Sequence, residues 1–162
     1  LPTVPELREV LSYAPETGVF VWKVHRCSVV RAGDVAGSVN AKGYRYITVN
    51  RKHLLAHRIA WAMHTGLWPT EDLDHENGCK DDNRFANLRP ASKRLNQENQ
   101  RRAQKNNPWG LLGVSKARDC KRWLATIQVG GVVRRLGRFD TPELAHVAYL
   151  EAKRKLHEGC TV

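Results

Sequence analysis

Long hydrophobic runs are missing from this 162-residue sequence, and so are closely paired cysteines. No stretch approaches the roughly 20 consecutive apolar residues of a membrane span, so we expect no membrane partner. The four cysteines, Cys27, Cys79, Cys120 and Cys160, are widely separated and none forms a C-x-x-C pair. This spacing argues against a zinc ribbon and favours an intracellular protein with reduced thiols.

Acidic residues are scarce relative to basic ones. The sequence has 27 Lys and Arg against 16 Asp and Glu, which gives a formal net charge of +11. Twelve basic residues but only two acidic ones lie between Lys93 and Arg138. Such a stretch is typical of a protein that binds a phosphate backbone, although a face that only promotes solubility is the alternative. An anionic membrane surface fits less well, because no basic amphipathic helix with a wide apolar face is present.

The first 66 residues carry turn and helix signals. Residues 1–55 have strand signals, with one turn at 15–18 ahead of Val19–Trp22 and another at 41–43. Ala56–Thr65 has helical spacing and is followed by Gly66, a common helix terminator. We therefore expect short strands followed by one short helix.

The C-terminal third reads as an independent unit. Residues 105–108 form a polar break, and residues 110–160 predict three short strands and then a helix. Thr141 is a suitable N-cap for that helix, with Pro142 at its first position. Five residues form the apolar stripe expected to cover the sheet: Leu144, Ala145, Ala148, Ala152 and Leu156.

The most unusual segment lies between these parts. Asp74 and His75 end a predicted strand, and a loop rich in Gly, Asn and Asp follows them. Beyond it, Ser92 is a natural N-cap for a nearly all-polar helix at 93–104, on which Asn96, Asn99 and Gln100 share a face. A helix with so little to bury is explained if one face meets a metal site and another meets phosphates.

The pattern D-H-x-N-G-x-x-x-D-N-R-x-x-N-L-R, which starts at Asp74, resembles the HNH nuclease family. The similarity is greatest to the phage and intron-type branch, and it extends upstream through residues 13–22 and 56–61. It implies a ββα unit that holds one divalent metal ion and cleaves DNA.

The resemblance also implies a role for each matched residue. His75 would be the general base that takes a proton from the attacking water, for which an imidazole is suited near neutral pH. Asp74 and Asn96 would be the protein ligands of one Mg²⁺ or Mn²⁺ per active site, ions that prefer oxygen donors. Asn87 is counted with His75 among the catalytic residues. Its side chain would tie the loop to the strand and orient the imidazole. If the pattern is set aside, each of these residues has a purely structural alternative. Asp74 would be a turn residue that caps backbone amides, His75 a surface histidine and Asn96 a solvent-facing residue of a polar helix.

Some neighbouring polar residues receive no chemical role. Asp82 and Asn83 are predicted to satisfy loop amides, and His57 is predicted to be a packed or capping histidine. Glu76 departs from the family pattern, in which a bulky aliphatic residue is usual at that position.

The C-terminal part resembles an AP2 domain, a three-strand-plus-helix module, through residues 113–115, 121–127 and 136–149. The resemblance implies a sheet whose open face lies in the major groove of DNA. Strand alternation predicts Ser115, Gln128 and Arg135 on that face. The candidate DNA-binding residues of the whole chain are Arg94, Arg101, Arg102, Ser115, Arg118, Lys121, Arg122, Gln128 and Arg135.

The sequence therefore predicts an α+β protein with a nuclease domain at residues 1–104, a linker at 105–109 and an AP2-like domain at 110–162. Within the first, the ββα-metal core spans about residues 70–104. The expected activity is hydrolysis of a phosphodiester bond in double-stranded DNA, by a site-preferring nickase or a homing-type enzyme in the cytoplasm of a bacterial or phage-infected cell. No protein partner is evident. A DNA-binding regulator with a degenerate nuclease domain is the alternative, and a structured-RNA binder is a more distant one.

Overall fold

The computed structural model describes residues 1–100, 103, 107–117, 121–157 and 160 of the chain. The chain divides into two compact units, Leu1–Ser92 and Lys93–Val162, and each has a hydrophobic core of its own. Among the described residues, no helix combines the length and the apolar character needed to cross a bilayer.

The N-terminal unit opens with a helix, α1 (Val4–Val10), where the sequence indicated strands. Its first turn is capped reciprocally: the Thr3 side chain accepts from the Glu6 backbone N–H, and the Glu6 carboxylate accepts from the Thr3 backbone N–H. Val4 and Leu7 are buried and anchor the helix on the core. The strand expectation for residues 1–55 is therefore wrong at residues 4–10, because a capped turn with two apolar anchors is enough to make a short helix.

Two small antiparallel sheets follow α1. The first is a hairpin of β1 (Leu11–Ala14) and β2 (Val19–Trp22), and the second has the order β3 (Ser38–Val39), β4 (Arg45–Val49), β5 (Lys52–Leu55). The predicted turns at 15–18 and 41–43 are both present. The hairpin turn ends at Gly18, whose φ of +73° lies in the left-handed region that favours glycine.

Helix α2 (Ala56–Thr65) has the bounds that the sequence predicts. It ends at Gly66, which is left-handed and donates its N–H to the carbonyl of Ala62. One face of α2 joins α1 and the two sheets in a single core. The largest buried apolar side chains of that core are Leu7, Leu11, Phe20, Trp22, Ile47, Val49, Leu54, Ile59 and Leu88.

A second hairpin completes the N-terminal unit. β6 (Leu73–His75) pairs antiparallel with β7 (Leu88–Pro90), with Asp74 opposite Arg89 and His75 opposite Leu88. A long loop joins the strands and ends in a single 3₁₀ turn, Phe85–Asn87. Because Leu88 is part of the main core, this hairpin is fixed to the body of the unit.

The C-terminal unit contains α3 (Lys93–Glu98), a three-stranded antiparallel sheet and α4 (Pro142–Leu156). The sheet has the order β10 (Val132–Phe139), β9 (Trp123–Val129), β8 (Val114–Lys116). Helix α4 begins as predicted, with the Thr141 side chain accepting from the Leu144 backbone N–H. Its core is small, formed by Val114, Ala125 and Ala145 with partly buried neighbours.

The apolar stripe predicted on α4 is wrong at both ends. Leu144 and Leu156 are exposed, whereas Ala145 and Lys153 are the buried residues of the helix. Consecutive residues of a helix point in directions about 100° apart, so the face that places Ala145 against the sheet leaves Leu144 exposed.

The two units divide ahead of the expected domain boundary at residue 104. The buried ammonium group of Lys153 donates to the backbone carbonyl of Gln100, which attaches the segment after α3 to α4. The described helix also ends at Glu98, short of the predicted residue 104. In the expected linker, Trp109 packs edge-on against Trp123 with ring centroids 4.6 Å apart, so this end of the segment belongs to the C-terminal unit.

Candidate active site

The β6–β7 hairpin places Asp74 and His75 on opposite faces. Strand alternation buries Leu73 and His75 and leaves the Asp74 carboxylate partly exposed. Across the hairpin, the Arg89 guanidinium donates to Asp74 Oδ2 at 3.1 Å. This ion pair fixes the direction of the carboxylate.

His75 is 3% exposed and lies among polar and aromatic side chains. Its Nε2 is 3.4 Å from Asn83 Oδ1, and its ring centroid is 5.0 Å from that of His57 and 6.2 Å from that of Tyr44. Burial lowers the pKa of His75, while the Asn83 contact and the Asp74 charge act in the opposite direction. The ring is therefore neutral near pH 7, the form that accepts a proton.

Asn87 holds the loop that follows His75. Its Oδ1 accepts from the Asn77 backbone N–H at 2.9 Å, and its Nδ2 donates to the Asp82 carbonyl at 2.8 Å. Its backbone carbonyl also accepts from the Glu76 N–H at 2.9 Å. One buried side chain thus joins two parts of the loop that follows His75, and its role in orienting the imidazole stays a prediction.

Ion pairs fasten the outer part of this loop. Asp82 accepts from the Arg84 side chain at 2.5 and 2.8 Å, and these bonds lower the pKa of Asp82 to about 2. Arg45 of β4 donates to both oxygens of Asp81, at 2.8 and 3.0 Å. The loop is therefore tied to the neighbouring sheet as well as to itself.

Asn83 is the residue whose position the sequence analysis missed. The sequence predicts that Asn83 satisfies loop amides, and its Nδ2 donates to the Asp81 carbonyl, but its Oδ1 faces the ring of His75. The signal was its place in the D-N-R part of the motif, eight residues after His75. A separation of eight residues along the sequence does not indicate that the two side chains touch, because their contact depends on the path of the loop between them.

His57 is a packed histidine, as predicted, and it does not cap its helix. It lies in the first turn of α2, whose N-cap Leu55 makes no side-chain hydrogen bond. The residue is 5% exposed, and its ring meets that of His75 edge-on at 82° between the planes. Burial, followed by the neighbouring charges of His75 and Arg58, lowers the pKa of His57 to about 3.

This burial predicts a loss of stability in acid. The unfolded chain protonates His57 near pH 6.5 and the folded chain only near pH 3, so unfolding takes up a proton between these values. The free energy of unfolding should be unaffected by His57 above pH 6.5. It should then fall by up to about 1.4 kcal/mol per pH unit as the pH drops towards 3.

Urea denaturation of the whole chain at pH 7.5 and pH 5 measures this loss. The change His57→Phe keeps a buried ring but removes the titration, and it should reduce the loss between the two pH values by about 2 kcal/mol. His53→Phe alters an exposed histidine of β5 and should keep the wild-type loss. Equal losses in all three proteins would show that His57 is not buried in its neutral form.

Asn96 lies on α3, in the C-terminal unit. Its Oδ1 is buried and has no hydrogen-bond partner among the described residues. Leaving an amide oxygen buried and unbonded is unfavourable, and a hard cation is one group that would satisfy it. An amide oxygen and a carboxylate are donor types that Mg²⁺ or Mn²⁺ prefers, and the role of Asn96 and Asp74 as ligands stays a prediction. No cluster of three or more His, Cys, Asp or Glu suited to a metal occurs in the described part of the chain.

The C-terminal sheet has one covered face and one open face. Ala125 and Ile127 of β9 are buried, so their neighbours along the strand point the other way. Directly paired residues share a face, and Ser115 pairs with Leu124, Arg135 with Thr126, and Gln128 with Val133. The open face therefore carries Ser115, Gln128 and Arg135.

The other candidate DNA-binding residues vary in their surroundings. Lys121 and Arg122 are exposed just before β9, and Arg122 lies 3.3 Å from Asp140. Arg94 is exposed on α3 and pairs with Glu98 at 3.5 Å. Arg101, Arg102 and Arg118 lie outside the described residues.

Residues 54–98 match the protein-family model described as HNH endonuclease. The match indicates that the chain is a DNA-cleaving hydrolase. A solved structure described as showing DNA binding and cleavage by the HNH homing endonuclease I-HmuI is similar over 98% of this chain and 93% of its own, at 19% identity and a TM-score of 0.46. A likeness at that score is too weak to assign function. No curated protein matches the chain, and none of these matches supports the AP2 resemblance.

Proposed function

We propose that this protein is a divalent-metal-dependent endonuclease that hydrolyses one phosphodiester bond of double-stranded DNA per engagement. The observation that carries the proposal is the buried, neutral imidazole of His75, which follows Asp74 on a strand of the hairpin inside the matched segment. A base, a charged oxygen ligand and a loop held by Asn87 are the parts that such a hydrolysis needs.

His75 would take a proton from the water that attacks the scissile phosphorus. Its neutral state near pH 7 and its fixed ring suit this step. Asp74 and Asn96 would hold Mg²⁺ or Mn²⁺, which would neutralise charge on the leaving 3′ oxygen when bound. The Arg89–Asp74 ion pair would orient the carboxylate towards that ion.

Conversion of supercoiled plasmid to relaxed circles tests the proposal. We expect relaxation in Mg²⁺ or Mn²⁺ and none when EDTA is present in excess. Relaxed circles should accumulate before linear molecules, because one catalytic centre cuts one strand at a time. Relaxation that persists in EDTA would contradict metal dependence, and an intact plasmid under all conditions would contradict the endonuclease proposal.

We propose in addition that the open face of the C-terminal sheet binds DNA, in the manner of the AP2 domain that this unit resembles. The support is the exposed Arg135 and Gln128 on a face free of apolar core residues, within the basic stretch of the sequence. Contacts to phosphates would supply affinity, and contacts to base edges would supply site preference.

Two adjacent arginines of β10 test which face meets DNA. Arg135 lies on the open face, whereas Arg134 pairs with the buried Ile127 and lies on the other face. Arg135→Ala should weaken duplex binding and reduce the slope of log affinity against log salt by about 0.9 for one lost phosphate contact. Arg134→Ala removes the same charge and should leave that slope unchanged. Equal slopes for both variants, measured by fluorescence anisotropy, would contradict the assignment of the open face.

A further inference from the structure

The side chain of Asn83 reaches the ring of His75, and its own hydrogen bonds determine which atom faces that ring. Asn83 is 1% exposed. Its Nδ2 donates to the Asp81 carbonyl at 3.0 Å, so Oδ1 is the atom that lies 3.4 Å from His75 Nε2. A reversed amide would point two donors at the ring and turn an acceptor towards a carbonyl, which the hydrogen-bond network disfavours.

An amide oxygen accepts hydrogen bonds but cannot donate them. Its contact with Nε2 therefore stabilises the form of the imidazole that carries its proton on Nε2. In a neutral ring the basic lone pair is then on Nδ1. At 3.4 Å the contact is long, as polar contacts of catalytic groups commonly are before substrate is bound.

The backbone of Asn83 is held in place by the β1–β2 hairpin. The Tyr13 hydroxyl donates to the Asn83 carbonyl at 2.7 Å. The hairpin turn also lies directly on this segment, since a Cβ at Gly18 would be 2.6 Å from the Asn83 carbonyl carbon and 2.5 Å from the Arg84 nitrogen. Asn83 is thus fixed from behind by backbone contacts that do not involve His75.

We infer that Asn83 is the positioning residue that keeps the proton of His75 on Nε2 and thereby makes Nδ1 the atom that accepts the proton of water. The inference builds on the proposed role of His75 as general base. It assigns a function to a residue that the sequence pattern indicated only as part of a loop.

The tautomer of His75 is measured directly by NMR of the full chain labelled with ¹⁵N-histidine at pH 7.5. Two-bond correlations from the ring protons distinguish an Nε2–H ring from an Nδ1–H ring, and His75→Gln identifies the signals. We expect the Nε2–H form in the wild-type protein. An Nδ1–H form would overturn the inference without any variant at Asn83.

Two substitutions separate the acceptor from the rest of the side chain. Asn83→Asp retains an oxygen that accepts from Nε2–H and should retain the tautomer. Asn83→Leu removes the acceptor and should shift the averaged nitrogen signals towards a mixture of the two tautomers. A wild-type tautomer in Asn83→Leu would overturn the inference.

Cleavage kinetics supply a second readout. Asn83→Leu should lower kcat by about 10- to 100-fold, the usual cost of losing a partner that orients a reacting group. KM for DNA should stay within about twofold, because Asn83 is buried and would not touch the substrate. A rise in KM with kcat unchanged would contradict a positioning role.

The NMR experiment also separates this inference from the proposed function. If His75 carries its proton on Nε2 in an Asn83-dependent way and the protein cleaves no DNA, the endonuclease proposal fails and the positioning inference stands. If DNA is cleaved and the tautomer does not depend on Asn83, the positioning inference fails and the endonuclease proposal stands.

Discussion

Replacing His75 by alanine should lower the rate of Mg²⁺-dependent DNA cleavage by about 10²- to 10⁴-fold, the range expected when a general base is removed. The imidazole is neutral near pH 7 and is proposed to accept the proton of water, so its removal would leave the attacking water without a base. DNA affinity should change little, because a side chain that is 3% exposed contributes little surface to a nucleic-acid interface. Single-turnover cleavage and anisotropy binding on the same duplex measure the two quantities.

His53→Ala is the matched control, since it removes an exposed histidine from β5 of the same unit and should retain wild-type cleavage. Far-UV circular dichroism of His75→Ala checks that the buried substitution leaves the fold intact. Added imidazole should restore part of the lost rate if the missing group is a base. A parallel loss of binding and cleavage in a folded His75→Ala protein would indicate a structural role for the residue.

Replacing Asp74 by alanine should abolish metal-dependent cleavage, because it removes the charged member of the proposed ligand pair. Asp74→Asn is the sharper variant: it keeps an oxygen that accepts from Arg89 but loses the negative charge that attracts a cation. Both variants should bind Mn²⁺ more weakly than the wild type. Titration of the protein with Mn²⁺ in the absence of DNA, followed by electron paramagnetic resonance, measures this independently of cleavage.

Two substitutions at Asn96 test its proposed role as the second metal ligand, because they should affect the affinity for Mn²⁺ differently. Asn96→Asp keeps the oxygen, adds a charge and should bind Mn²⁺ as tightly as the wild type or more tightly. Asn96→Ala removes the buried Oδ1 and should weaken Mn²⁺ binding and cleavage together. Wild-type cleavage by Asn96→Ala across a Mg²⁺ titration would rule out Asn96 as a ligand.

Local signals predicted the short elements around the site well. Helix α2 has its predicted bounds because Gly66 adopts the left-handed conformation that ends a helix, a property visible in the residue itself. The turn before β2 is also local, since residues 15–18 combine proline and glycine. Signals of this kind act within a few residues, so one sequence is sufficient to find them.

Features that depend on tertiary contacts were not predictable in the same way. The contact between Asn83 and His75 follows from a loop fastened by Asn87 and by Tyr13 of a distant hairpin. The exposure of Leu144 depends on which face of α4 packs on its sheet. Helix α1 does have a local signal, the capping pair Thr3 and Glu6. Residues 1–55 were nevertheless predicted as strands, because most of the segment carries strand signals.

The contact between the Gly18 turn and the Asn83 backbone has a consequence for protein engineering. The recognisable nuclease segment, 54–98, contributes few of the large side chains of its own core, and Phe20 and Leu7 come from the first 22 residues. A fusion enzyme built from that segment alone would lack both its hydrophobic support and the hairpin behind Asn83. A transplantable module therefore has to include the hairpin and α1, so its natural unit of exchange is the whole compact stretch 1–92.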